Sequence, residues 1–368
     1  MEKNNKTLNV PNLRFPEFSG EWESVRLGDV CKFFSGGTPS STNKDFYDGD
    51  IPFIRSGEIH SSSTELYISE AGLNSSSAKI IEQGDLLLAL YGATSGDIAI
   101  SKIKGAINQA ILCIRTNHDN FFLKSCWEKH CRKLLQTYLQ GGQGNLSADI
   151  VKSIKISFPS CLEQKKISGL LALVEERIET QKKIIEKYES LIRGLCEKLT
   201  RQGTANKAIN ECLECHSSTL QESSVMDDGK YPVYGATGIC GYTETPDSTG
   251  DGILIIKDGA SVGVTSYVEG CYSSIGTLNR LIAKQNIYLR YVYYCLKVMN
   301  FSPYKTGLAI PHIYFKDYGR HKIWCPSYEQ QSHIAKILTQ IDDKIQVEKS
   351  LLERLDSQKR YMLNQLFI

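Results

Sequence analysis

A chain of 368 residues exceeds one typical domain, and its 41% apolar and 23% charged residues place it with folded globular proteins rather than disordered or fibrous ones. Net charge is +2, from 43 basic and 41 acidic residues, which neither demands nor forbids a nucleic-acid partner, because a local patch and not the global sum binds phosphate. The longest apolar runs, such as Asp85 to Ala89, fall far short of a membrane span, and no signal peptide is expected from the polar, Asn-rich stretch Met1 to Pro11. A cytoplasmic location is expected.

The twelve cysteines are scattered, and Cys31, Cys113, Cys126, Cys196 and Cys295 lie in apolar or helical surroundings that suit buried thiols. Cys212-Leu213-Glu214-Cys215-His216 has the spacing of a c-type haem attachment. No export signal accompanies it, and no second CxxC or HxxxH pair completes a zinc site, so accidental spacing is the expected reading and no metal is expected.

In chain order, residues 1–21 read as an arm, and Trp22 to Val30 as a first strand or short helix. Strand-like runs follow at Ile51 to Ile54, Asp85 to Leu90, Ile98 to Ile100 and Ala110 to Arg115, with a helix over Phe121 to Gln140. The glycine-rich turn Gly141 to Asn145 precedes a strand at Ile154 to Phe158. A second globule has a similar plan: strands at Tyr231 to Tyr234, Gly252 to Lys257, Val264 to Val268 and Arg280 to Ala283, a helix at Ile287 to Met299, a loop at Thr306 to His312 and a strand at Lys322 to Cys325.

Each globule ends in Pro-Ser followed by a heptad stripe. The first is Ile167, Leu171, Val174, Ile178, Gln181, Ile185, Tyr188, Ile192, Leu195, Leu199. The second is Ile334, Leu338, Ile341, Ile345, Glu348, Leu352, Leu355, Lys359, Met362, Leu366. A sustained 3.5-residue repeat with charged flanks predicts coiled-coil helices. Each spans about 33 residues, about 50 Å at 1.5 Å per residue.

The stripes belong to an internal repeat. At an offset of 167, Gly92-Ala93-Thr94-Ser95-Gly96 falls on Gly259-Ala260-Ser261-Val262-Gly263, Pro159-Ser160 on Pro326-Ser327, Gln164 on Gln331, and Glu175-Glu176-Arg177-Ile178 on Asp342-Asp343-Lys344-Ile345. The order globule, helix, globule, helix then predicts an α+β fold with two pseudo-symmetric heads joined by two long antiparallel coiled-coil helices. The polar seam positions Gln181, Glu348 and Lys359 are expected to set helix register.

No assembled catalytic motif is present: there is no GxxxxGK[ST], GxSxG, HExxH or strand-borne GxGxxG. The runs Gly92 to Gly96 and Gly141 to Asn145 lack the lysine of a phosphate loop, and strand-connecting turns explain them better. Two rigid heads at a fixed separation suit a duplex, whose half-sites recur at set intervals. A 50 Å spacer would cover on the order of 15 base pairs.

The chain resembles the specificity subunits of type I restriction-modification systems. The resemblance is carried by Pro11-Asn12-Leu13-Arg14-Phe15-Pro16 with Trp22 to Val30, by Pro-x-x-x-x-Gln-x-x-Ile at Pro159 and Pro326, and by the two heptad helices. It implies two target recognition domains, each reading half of a bipartite DNA target, with the coiled coil as a ruler and no catalysis in this chain. It also implies double-stranded DNA, two methyltransferase subunits and two restriction subunits as partners. S-adenosylmethionine, ATP and magnesium would belong to those partners, with no cofactor in this chain.

On this reading residues 1–21 are an N-terminal arm, 22–158 the first recognition domain, 159–202 the central helix, 203–325 the second recognition domain and 326–368 the distal helix. The Trp-x-x-x-x-Leu-Gly-Asp opening of the first head has no evident counterpart near residues 205–225. With both helices complete, one chain per complex is expected.

DNA readout needs donors and acceptors on loops with basic residues nearby. The candidates are Lys44, Arg55, Tyr91, Thr94, Ser95 and Asn145 in the first head, Arg55 foremost. In the second they are Lys257, Ser261, Tyr304, Lys305 and His312. The rival readings are a coiled-coil scaffold joining protein partners, and an enzyme built from His312, Asp317 and His321.

Overall fold

The computed structural model describes residues 9–138, 146–307 and 310–368. It divides into two units, residues 1–180 with 352–368, and residues 181–351.

The first unit opens with β1 (Glu23–Arg26), the single turn α1 (Leu27–Val30) and β2 (Cys31–Ser35). It continues through β3 (Tyr47–Ile54), β4 (Leu66–Ile68), α2 (Glu70–Asn74), β5 (Lys79–Ile81), β6 (Leu86–Ala89), β7 (Ile98–Ile100), β8 (Gly105–Ile107) and β9 (Ile111–Thr116). Then α3 (Asn120–Tyr138), α4 (Ala148–Ser153) and β10 (Lys155–Phe158) lead to α5 (Cys161–Thr200). Two four-stranded sheets form, β2-β9-β6-β7 and β4-β3-β8-β5, and β1 pairs with β10.

Alternation along the strands makes the first sheet the middle layer. Leu86, Leu88, Leu112 and Ile114 pack on Phe122, Cys126 and Trp127 of α3. Leu87, Ala89, Ile111 and Cys113 face the other way, onto Ile54, Ile81 and Ile107 of the second sheet. A strand covered on both sides must be apolar at every position, which is why β6 reads Leu-Leu-Leu-Ala without alternation.

The second unit builds the same head. Its elements are β11 (Lys207–Ala208), α6 (Ile209–Cys212), β12 (Leu213–Ser217), β13 (Tyr231–Gly235), β14 (Gly238–Thr243), β15 (Ser248–Thr249), β16 (Gly252–Ile256), β17 (Thr265–Val268), β18 (Cys271–Ser274) and β19 (Leu278–Ala283). After these come α7 (Leu289–Lys297), α8 (Phe315–Tyr318), β20 (Lys322–Ile323) and α9 (Tyr328–Leu366). The sheets are β12-β19-β16-β17 and β14-β13-β18-β15, with β11 paired to β20, so every strand has its counterpart in the same place.

The opening that seemed to lack a counterpart has one. The group β11-α6-β12 stands where β1-α1-β2 stands: Leu27 and Ile209 are both wholly buried, Leu27 N donates to Ile154 O at 2.9 Å, and Ile209 N donates to His321 O at 3.0 Å. The offset breaks because the first head is longer between these elements, from Cys31 to Leu86, and inserts α2 there, whereas β12 and β16 begin at Leu213 and Gly252. The segment Trp22 to Val30, which read as strand or helix, is in fact one of each.

Within the first unit the early part of α5 meets the end of α9: Ile167 and Leu171 share a core with Leu363, Leu366 and Phe367. Within the second unit Ile192 and Cys196 of α5 pack with Ile334, Leu338 and Ile345 of α9. The pairing is therefore antiparallel. Of the heptad residues, Ile167, Leu171, Ile178, Ile185, Ile334, Leu338, Ile345 and Leu355 are buried, and Val174, Leu195, Ile341 and Leu352 are half-buried. Gln181 donates from Nε2 to the Glu348 backbone oxygen at 3.1 Å and also to its carboxylate, so equivalent positions of the two repeats meet each other. Lys359 bonds Glu128 at 2.8 Å and Glu175 at 2.6 Å, and Lys124 bonds the same two carboxylates, tying α3, α5 and α9 together.

The Pro-x-x-x-x-Gln motif is a joint between head and helix. Ser160 and Ser327 accept from the amides of Glu163 and Gln330, capping α5 and α9. Gln164 and Gln331, each 1% exposed, donate from Nε2 to Pro159 O and Pro326 O at 2.9 and 2.8 Å. Their Oε1 atoms accept from Asp119 N and Tyr288 N, at the start of α3 and α7. Before β1, Arg14 grips the buried Glu163 through two 2.8 Å bonds. Among the described residues no helix is long and apolar enough to cross a membrane.

Candidate nucleic-acid interface

The turn leaving β6 and the turn leaving β16 have one construction. Gly92 and Gly96 hold φ of 74° and 87°, and Gly259 and Gly263 hold 101° and 93°, a region that side chains resist. Gly96 N donates to Ala89 O and Gly263 N to Ile256 O, both at 2.8 Å. Asp97 N donates to Thr94 O and Val264 N to Ser261 O, so the register of the turns is the same. Each turn leads into a strand and not a helix, which leaves the glycines as turn formers.

In the first head Tyr91 is exposed, while Thr94 and Ser95 are half-buried, and the Ser95 hydroxyl donates to Leu90 O at 3.0 Å. Lys44 precedes β3 and Arg55 follows it, so they lie at opposite ends of that strand. Arg55, the foremost candidate by sequence, bonds Glu58 at 3.0 and 3.1 Å and Glu65 at 2.5 Å. Through Nε and Nη2 its guanidinium clamps the 55–65 loop. Asn145 lies outside the described residues.

The second head gathers its candidates onto two adjoining segments. Ile313 N donates to Lys257 O and Gly259 N to Pro311 O, both at 2.9 Å, while Thr306 and His312 exchange backbone bonds of 2.9 and 2.7 Å. The loop 306–312, of which residues 308 and 309 lie outside the described set, is thereby pinned to the turn that carries Ser261. Tyr304 Oη lies 3.0 Å from His321 Nδ1, and Lys305 is exposed.

Two histidine–aspartate contacts at these turns escape a sequence reading. His60 Nε2 lies 2.9 Å from Asp97, and His312 Nδ1 lies 2.6 Å from Asp258. The aspartates could have been noticed, since one directly follows Gly96 and the other directly precedes Gly259. His60 could not, because only the fold brings it there.

The residues of the enzyme reading do not converge: His312 bonds Asp258 and His321 bonds Tyr304, while the backbone amide of Asp317 bonds Tyr314 O. Cys212 is wholly buried in the core, and burial pushes the Cys215 thiol up to about 11. No group of three or more His, Cys, Asp or Glu side chains is arranged for a metal ion among the described residues.

A family model described as the type I restriction modification DNA specificity domain matches residues 19–190 and again 205–357. The MjaVIII specificity subunit of Methanocaldococcus jannaschii is 23% identical over 416 residues, covering 99% of this chain and 95% of that protein. The EcoprrI specificity subunit of Escherichia coli is 24% identical, covering 88% of each. The crystal structure of the type I restriction-modification S subunit from M. genitalium superposes with a TM-score of 0.67 at 19% identity, covering 98% of this chain and 99% of that one. A second structure, from work on complex assembly and conformational transition of the type I system, gives 0.54 at 18% identity, covering 94% and 97%.

Proposed function

Because this chain belongs to the type I restriction-modification DNA specificity family, whose members are non-catalytic DNA-recognition subunits, we propose that each head reads one half of an asymmetric bipartite duplex target. One observation carries this: the heads match strand for strand, yet equivalent turn positions carry unlike side chains, Tyr91 against Asp258 and Ser95 against Val262. One scaffold with two different surfaces suits a target whose halves differ.

The reading assigns recognition to residues 22–158 and 203–325, with 159–202 and 326–368 setting the gap. Tyr91, Thr94 and Ser95 act in the first head, and Lys257, Ser261, Tyr304, Lys305 and His312 in the second. Lys44 lies apart from the first group, and Arg55 acts there while held through Nε and Nη2 by Glu58 and Glu65. The chain works in the cytoplasm with two methyltransferase subunits, which bring S-adenosylmethionine, and two restriction subunits, which bring ATP and magnesium.

The test is to co-express the chain with its methyltransferase and map methylated adenines. A single two-part motif with one gap is expected. Exchanging residues 22–158 for those of another specificity subunit should change one half only, and adding one heptad to each helix should widen the gap by about 3 base pairs, from about 10 Å of added rise. A stable complex that shows no salt-dependent binding to duplex DNA, and leaves it unmethylated, would favour the scaffold reading.

A further inference from the structure

Each head carries a histidine–aspartate pair on its glycine turn, and the two pairs are built from unrelated positions. The Asp97 carboxylate oxygens lie 2.9 and 3.0 Å from Nε2 of His60, which arrives from the loop after β3. The Asp258 carboxylate lies 2.6 Å from Nδ1 of His312, which arrives from the loop before α8. The shared turn register puts Val264 where Asp97 stands and Tyr91 where Asp258 stands. Neither carboxylate is therefore inherited through the repeat, and the same pairing occurs twice at one location of the fold.

The arrangement is poorly suited to holding the fold together. The His60 and His312 side chains are 57% and 37% exposed, and side-chain pairs this open to solvent contribute little stability. What the pairing does is fix direction. With one ring nitrogen bound to a carboxylate, the tautomer and orientation of the imidazole are set, and the other nitrogen is presented along one line. The carboxylate contacts take Nε2 of His60 and Nδ1 of His312, leaving Nδ1 and Nε2 as the second nitrogens, and the turns concerned also carry Thr94 and Ser95 in the first head and Ser261 in the second.

Resting on the reading of the heads as DNA-reading modules, we propose that His60 and His312 each contact one base edge in the half-site of their own head. Asp97 and Asp258 are positioning residues that aim those rings. A single aimed nitrogen discriminates between base edges that present a donor and those that present an acceptor.

The test uses the full chain co-expressed with its methyltransferase, comparing wild type with His60→Gln, His312→Gln, Asp97→Asn and Asp258→Asn by adenine-methylation mapping and thermal melting. Each histidine substitution should relax one base position, in one half-site only, with discrimination there falling roughly 5- to 150-fold. Each aspartate substitution should relax the same position by less, with the gap, the other half and the melting temperature unchanged. An unchanged motif overturns the proposal, whether methylation is undiminished, falls evenly over all sequences as a lost phosphate contact would make it, or falls with the melting temperature. A wild-type protein that yields no two-part motif overturns the DNA reading of the heads, and this inference with it.

Discussion

Replacing Arg14 by Ala should destabilise the first unit far more than loss of a surface ion pair would. Nε and Nη2 of Arg14 each lie 2.8 Å from a Glu163 oxygen, and the two side chains are 17% and 1% exposed. Without Arg14, the only other side-chain donor near that carboxylate among the described residues is Trp22 Nε1, at 3.4 Å. Breaking a buried pair by removing one partner costs about 3–5 kcal/mol, because the remaining charge stays buried and uncompensated. At about 2–4 °C per kcal/mol for a unit of this size, the melting temperature falls by roughly 6–20 °C. In a Trp324→Phe background the remaining tryptophans, Trp22 and Trp127, both lie in the first unit, so their fluorescence follows its unfolding. Adding Glu163→Gln to Arg14→Ala should restore most of the loss, since a neutral amide is less costly to bury. A fall of less than about 2 °C, or no rescue by the second substitution, would refute the argument.

The joint glutamines should behave as a matched pair: Gln164→Ala and Gln331→Ala each remove a bond to a proline carbonyl and one to a helix start, lowering stability by about 1–3 kcal/mol in their own unit by urea unfolding. Burial pushes the Glu175 carboxyl up, but Lys124 and Lys359 outweigh it and hold it below its ordinary range. The folded chain thus binds fewer protons there than the unfolded one, so this stabilisation is complete above the unfolded value of about 4.3 and is lost as pH falls through the lower folded value. Glu175→Gln should flatten that limb of the stability profile in acid unfolding curves. Gly259→Ala meets open space and bears only the left-handed backbone penalty of about 1–2 kcal/mol, whereas at Gly263 a Cβ would sit 2.9 Å from the Phe301 ring. Gly263→Ala should therefore be the more destabilising of the two by thermal melting, and equal effects would contradict this packing.

How much was legible can be judged element by element. The heptad stripes, the Pro-Ser junctions and the Gly-Ala turns are visible because each depends on local periodicity or on a residue type that local backbone geometry demands. Strands such as β8 and β15 are not visible, because Gly105–Ile107 and Ser248–Thr249 hold no run of strand-forming residues and their pairing partners are distant in the chain. The counterpart of the first head's opening was hidden by unequal spacing before β6 and β16, although Leu27 and Ile209 occupy the same buried position.

The sequence by itself determined that this protein is a duplicated α+β chain with two long helices, and the family it belongs to, because repetition and periodicity are properties of order along the chain. Only the tertiary structure decided that Arg55 is bound to two glutamates, that Gln181 meets Glu348, and that His60 and His312 are aimed from the turns by Asp97 and Asp258. Those facts depend on which side chains distant segments bring within about 3 Å of each other, the range in which a hydrogen bond forms. Spacing in sequence does not encode that distance.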